Sequence, residues 1–443
     1  RGSAPAQINV PRDYWTQVID IELPPIVRLE GQAGGVEAIN KAAKLLSEAK
    51  FPVILSGAGV VIGGAIEDCK KLAEKLDAPV CSGYQHNDSF PGSHPLAAGP
   101  LGYNGSKAGM ELIQKADVVL ALGTRLNPFS TLPGYGIDYW PKNANIIQVD
   151  MNSDRIGLTK KVSVGICGDA KLVAQQLLDK LSSNAGDKDR EKRKNLIHQT
   201  KSAWLQKLSS LDHEDDDKGT VWNKEARERD KDRMSPRQAW RAIQAGMPDD
   251  VIISSDIGNN CAIGNAYPTF EKGRKYLAPG LFGPCGYGFP SILGAKIGCP
   301  NTPVIGFAGD GAFGISMNEM SSCARKEWPA ITMVIFRNYQ WGAEKRNSIL
   351  WFDDNFIGTE LDPELSYAKV ADACGLKGIT VKTMEETTKA IQKSCDDQKK
   401  GITTFIEIIL NQELGEPFRR DAMKKPVEVA GIKKADMQPQ KSS

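Results

Sequence analysis

The sequence is poor in the features that mark several common protein classes. Only four histidines occur (His86, His94, His198 and His213), and none flanks a cysteine at zinc-ligand spacing. The nine cysteines are scattered with no Cys-x-x-Cys pair, so reduced thiols in a cytoplasmic setting are expected rather than a disulfide framework. No apolar run approaches the roughly 18 residues of a membrane span; Val118–Leu122 and Ile331–Phe336 have strand length. Net charge is nearly absent: 56 Lys+Arg against 54 Asp+Glu leave +2, which argues against a generally basic nucleic-acid binder. What remains is a globular α/β chain with no expected membrane or nucleic-acid partner.

What is present is punctuation. Length gives a soft prior of about three domains, and 43 glycines point to many tight turns or phosphate loops. After Pro24-Pro25, helical patterns (from Gly35, Ala65–Leu76, Ala170–Leu181) alternate with the short apolar runs Phe51–Leu55, Ala78–Cys81, Val118–Leu122 and Ile146–Val149. That alternation predicts a parallel sheet with helical crossovers. Between Ser182 and Arg233 the chain is dense in charge of both signs, which reads as a solvated connection. A second alternating unit opens at Ser235-Pro236, an N-cap followed by Pro. It continues through a helix Arg237–Ala245 and the strands Val251–Ser254, Val304–Phe307, Ile331–Phe336 and Thr404–Ile409.

The chemistry lies in this second unit. Gly309-Asp310-Gly311 follows one strand, and Arg337-Asn338 ends another, which puts Asp310 and Asn338 at the carboxyl ends of two strands joined by one helix. That edge of a parallel sheet binds ligands, and a hard cation such as Mg²⁺ takes one or two protein oxygens plus phosphate oxygens. The glycines allow backbone N–H groups to approach a diphosphate, and Ser316-x-x-Glu319 reads as a capping box.

With that spacing, the chain resembles the thiamine-diphosphate enzymes of the acetolactate synthase type. Ser255-Asp256-Ile257-Gly258-Asn259-Asn260 resembles their diphosphate-gripping turn, and Leu281–Pro290, which includes Gly283-Pro284-Cys285-Gly286, the segment against the aminopyrimidine ring. The resemblance implies two Rossmann-like parallel-sheet domains, a central one and a diphosphate-binding one. It implies thiamine diphosphate held by Gly258, Asn259, Asn260, Gly283, Cys285, Gly309, Asp310, Gly311, Ala312, Asn338, Gln340 and Gly342, with Mg²⁺ on Asp310, Asn338 and Gln340. Cys285 stands where the family has a bulky apolar residue, and Arg337 where it usually has Asn.

Ala4–Asp13 resembles the exit from the family's N-terminal pyrimidine-binding domain, and residues 1–13 look like its last strand. The expected layout is therefore the end of that domain at 1–13, a linker at 14–32, the central domain at 33–181 and a charged linker at 182–234. The diphosphate-binding domain follows at 235–420, with a tail at 421–443. On that reading the Glu that activates the cofactor lies outside these residues, and they bind the cofactor without turning over.

Phe336–Asn347 and Asn127–Gly136 resemble the sulfoacetaldehyde-cleaving acetyltransferases of the family, which implies sulfoacetaldehyde and phosphate as substrates and acetyl phosphate and sulfite as products. These anions need cations, for which Arg337, Lys345 and Arg346 are the candidates. An acetolactate synthase-like 2-oxoacid enzyme and a non-catalytic cofactor-binding subunit are the alternatives. A homodimer or homotetramer is implied by resemblance. Gly57-Ala58-Gly59 lacks the final Gly of a dinucleotide loop, so a middle domain without FAD is expected. His94 and His86 are secondary candidates, His94 more readily a structural hydrogen-bonding group.

Overall fold

Apolar runs of strand length cannot be buried singly. Here they assemble into two six-stranded, all-parallel sheets. The computed structural model describes residues 7–26, 30–211, 228–280, 282–325, 327–351 and 356–413. The first sheet comprises β1 (Pro52–Ser56), β2 (Val80–Ser82), β3 (Ala97–Pro100), β4 (Val118–Leu122), β5 (Asn145–Asp150) and β6 (Val164–Cys167), in the order β3-β2-β1-β4-β5-β6. β1 and β4 are buried throughout, as strands covered by helices on both faces must be. One covering helix, Val36–Glu48, turns Ile39, Ala42, Ala43 and Leu46 inward. Another, Ala170–Lys180, is capped by the Asp169 carboxylate, which accepts the N–H groups of Lys171 and Leu172.

The second sheet comprises β7 (Ile252–Ser255), β8 (Tyr276–Leu277), β9 (Val304–Gly309), β10 (Thr332–Arg337), β11 (Lys377–Val381) and β12 (Thr404–Ile409), in the order β11-β12-β10-β9-β7-β8. Its first helix, Pro236–Gly246, begins with the expected cap, a reciprocal capping box between Ser235 and Gln238. The chain runs from β7 to β8 on one side and returns to β9 on the other. The strand order therefore reverses between β7 and β9, the kind of switch point that opens a crevice at the carboxyl edge.

Three expectations are corrected. Residues 7–11 form no strand and are exposed, followed by a single 3-10 turn at Arg12–Thr16. The helix after β9 begins at Asp310 itself, so Ser316 lies at its end, caps nothing and leaves its hydroxyl unpartnered. The charged connection contains a 22-residue helix, Arg190–Leu211, that is more than solvated surface. Arg193 is buried in it and donates to five main-chain oxygens, among them Asp77, Lys50 and Leu76 of the first domain. Farther along, Trp204 and Leu208 join the apolar core of the second domain. The helix therefore braces both sheets. Residues 1–6 and the tail at 421–443 lie outside the described residues.

The domains also meet directly through polar groups. Asn265 accepts the Gln85 N–H at its side-chain oxygen and donates to the Tyr103 carbonyl, while its own carbonyl accepts the Asn87 amide. Asp88 accepts the N–H groups of Lys275 and Tyr276. No helix among the described residues is long and apolar enough to cross a membrane.

Candidate cofactor site

At the β7/β9 switch point lies a cavity of about 180 Å³. Its lining contains Gly258, Asn259 and Asn260 after β7, Gly309, Asp310, Gly311 and Ala312 after β9, and Asn338, Gln340 and Gly342 after β10. Gly283 and Cys285 close one side, with Trp341 and Glu344 alongside. All twelve residues expected to hold a cofactor thus face one space, drawn from four separate segments. A larger cavity of about 560 Å³ lies elsewhere, between the Arg190–Leu211 helix and the loop at His94, and includes none of them.

The turn after β7 is fixed from beneath. Trp240, fully buried, donates its indole N–H to the Asn260 carbonyl at 2.7 Å. Gly264 lies so close to this indole that an added Cβ would come within 2.2 Å of it, so only glycine permits the approach. Gly258 takes φ +122°, a conformation closed to side-chain-bearing residues. Asp256 ties this turn to the facing segment. One carboxylate oxygen accepts the Ile257 and Gly286 N–H groups at 2.8 and 3.1 Å, and the other accepts the Gly288 N–H at 2.7 Å. Burial raises the Asp256 carboxyl above its ordinary range, and these three N–H donors oppose the rise. Sequence reasoning placed the turn here but missed this role; the signal was an acid at a strand's carboxyl end, immediately before a glycine-bearing turn.

Asp310 is fully buried. Burial pushes its carboxyl up to about 6, against the pull of Arg337 and the N–H donors of Tyr339 and Gly311. Its Oδ2 accepts from Arg337 Nη1 at 3.1 Å and the Tyr339 N–H at 2.6 Å; Oδ1 accepts only the Gly311 N–H, at 3.0 Å. Around the cavity several buried polar atoms have no hydrogen-bond partner among the described residues: both amide ends of Asn259, the Asn260 side-chain oxygen and the Gln340 Oε1. Buried polar atoms are seldom left unpaired, so a polar guest is expected. One carboxylate oxygen with amide oxygens beside it suits a hard cation that keeps phosphate ligands, and Gly258 and Gly309 leave open space where a Cβ would project. The residues fit a metal-bound diphosphate.

Two of the expected anion ligands, Arg337 and Lys345, do not line this cavity. Arg337 is fully buried; besides Asp310 it reaches the carbonyls of Asp362 and Leu365, with Glu407 3.7 Å from its Nε. The expectation that it meets a substrate anion is corrected: its guanidinium is walled in by Tyr339 and Tyr367 at 4.2 and 5.4 Å. Lys345 is likewise fully buried, bonded to Glu360 and at 3.4 Å to the Gln412 side chain. Burial lowers its pKa, and Glu360 opposes that shift. Arg346 lies in the Gly342–Trp351 helix, its side chain outside the described residues. Cys285 is exposed at the rim, its thiol held above the ordinary range first by partial burial and then by Asp256 and Glu344. His94 stands apart, 3.4 Å from Glu74 and accepting the Leu96 N–H, in keeping with a structural group. His86, also away from the cavity, is pushed down to about 4 by burial and by Arg125.

Two parallel α/β units with a glycine-lined, Asp- and Asn-bearing crevice define a diphosphate-binding enzyme class, and comparison with known proteins agrees. The model of the thiamine pyrophosphate enzyme central domain matches residues 39–177, and that of the C-terminal TPP binding domain matches residues 256–408. The chain belongs to the thiamine pyrophosphate enzyme family. It is 76% identical over 441 residues to a probable sulfoacetaldehyde acetyltransferase of Rhizobium meliloti, covering 100% of this chain and 75% of that protein. It is 73% identical to the sulfoacetaldehyde acetyltransferase of Roseovarius nubinhibens, covering 99% of this chain and 73% of that protein. The crystal structure of benzoylformate decarboxylase from Polynucleobacter necessarius shares the fold, with a TM-score of 0.67 at 18% identity, covering 91% of this chain and 69% of that one.

Proposed function

We propose that the chain carries the central and cofactor-binding domains of a thiamine-diphosphate- and Mg²⁺-dependent acetyltransferase that converts sulfoacetaldehyde and phosphate to acetyl phosphate and sulfite. The convergence of twelve residues from four segments on the β7/β9 cavity carries the cofactor reading, and the whole-length similarity to sulfoacetaldehyde acetyltransferases carries the substrate. When bound, the cofactor supplies a carbon nucleophile and an electron sink for cleaving the carbon–sulfur bond. Asp310, Asn338 and Gln340 would hold the metal, and the backbone at Gly258 and Gly309 leaves room for the diphosphate. Asp256 fixes the segment carrying Cys285 against that turn. The reaction balances without an external oxidant: the aldehyde carbon is oxidised to the acyl level as the C–S bond is reduced, and sulfite leaves.

We assign 33–181 to the central domain and 235–420 to the diphosphate-binding domain, with 182–234 joining them. A homo-oligomer is supported by Phe282, 92% exposed beside the cavity-lining Gly283, and by exposed Ile315. The free cysteines suit a reducing cytoplasm. The test is to reconstitute the enzyme carrying this sequence with thiamine diphosphate and Mg²⁺ and follow sulfite and acetyl phosphate together. Release of both, dependent on phosphate, is expected; failure to release sulfite from sulfoacetaldehyde, with turnover of a 2-oxoacid instead, overturns the substrate.

A further inference from the structure

The Asp310 carboxylate is not equally available on both sides. Oδ2 is consumed by Arg337 Nη1 and the Tyr339 N–H, whereas Oδ1 has, among the described residues, only the adjacent Gly311 N–H. Arg337 cannot leave this position easily. Its second terminal nitrogen is bonded to the Asp362 and Leu365 carbonyls, and tyrosine rings lie over the guanidinium. The remaining cavity-lining groups proposed for the metal, Asn338 and Gln340, are neutral amides. Glu344, the other carboxylate lining the cavity, is exposed; a divalent cation seated at Asp310 therefore meets one buried carboxylate oxygen, and the charge of that carboxylate is already opposed by a buried guanidinium.

We propose that Arg337 is a positioning residue that restricts Asp310 to single-oxygen ligation and makes metal binding conditional on the diphosphate. The inference rests on the cofactor reading above. With a protein donor set this poor in negative charge, the phosphate oxygens must supply most of the attraction for the cation. Metal and diphosphate then enter as a pair, and by linkage each raises the other's affinity by the same factor. The buried cation thus acts behind the metal site, at a distance from any substrate anion.

The experiment uses Mn²⁺ as an electron-paramagnetic-resonance-visible probe on the full chain, with and without thiamine diphosphate. The wild type is expected to bind Mn²⁺ at least tenfold more tightly with thiamine diphosphate present; equally tight binding without it overturns the inference. Absence of binding even with both ligands overturns the cofactor reading itself, so the two failures are distinguishable. In Arg337→Met, affinity for Mn²⁺ alone is expected to rise about tenfold and its dependence on the diphosphate to shrink. Arg337→Lys is expected to restore that dependence in part. The double variant Arg337→Met/Glu407→Gln relieves the acid that Arg337 also faces and serves if the single variant does not fold. A folded variant with wild-type Mn²⁺ behaviour would show that Arg337 only supports the structure.

Discussion

Trp240 and Asn260 are joined by a hydrogen bond from the indole N–H to the main-chain oxygen, 2.7 Å long, at the floor of the cofactor cavity. It links a helix of the second domain to the turn that lines the cavity. Trp240→Phe keeps much of the ring packing and leaves that oxygen without its donor. The expected loss is about 1–3 kcal/mol in urea unfolding, with weaker thiamine diphosphate binding by calorimetry. Gly264→Ala is expected to be at least as damaging, because its new methyl would lie on the indole; a stability equal to wild type would contradict the close approach.

Asp310 offers the only carboxylate oxygen among the three side chains assigned to the metal. Asp310→Ala is expected to abolish the metal-dependent part of thiamine diphosphate binding. Titration calorimetry with and without Mg²⁺ measures this, and unchanged affinity would refute the assignment.

Asp256 accepts three backbone N–H groups, so Asp256→Asn must turn an NH₂ toward at least one of them. A cost of about 1–3 kcal/mol is expected, together with loosening of the segment at Gly286 and Gly288. In a Cys299→Ser background, Cys285 should then react faster with iodoacetamide than in the parent. An unaltered rate would show that Asp256 does not restrain this segment.

His86 provides a pH signature. Its pKa in the folded protein lies near 4, below the unfolded value of about 6.5. Because the unfolded chain binds the proton first, its contribution is complete above pH 6.5 and is lost as pH falls toward 4. Between pH 7.5 and 5 the loss is about 2 kcal/mol, measurable by urea unfolding at those two pH values. His86→Gln should flatten that dependence, and an identical slope in the variant would remove His86 as its source.

Much of the site was legible because ligand-binding turns leave local traces. Gly309-Asp310-Gly311 and Asn338 each sit at the end of an apolar strand, and the strand–helix–strand spacing brings them together. The partners of long side chains leave no such trace. Arg337 reads as a free cation until Asp362, Leu365 and Glu407, dozens of residues away, are folded around it. Arg193 sits in a run of mixed charge whose neighbours are indeed solvated, and only the docking of its helix reveals the five carbonyls it meets. Ser316 misled for the opposite reason: a local capping pattern was overridden by a helix that had already begun at Asp310.

Asn265 uses both ends of its side-chain amide and its own carbonyl across the domain boundary. Separating the domains must break these bonds together with those of Asp88, and each broken bond strands a polar group that was buried. Such a boundary has little room for partial opening. Its energetic meaning is cooperativity: heat should melt the two sheets in one calorimetric transition, with neither outliving the other.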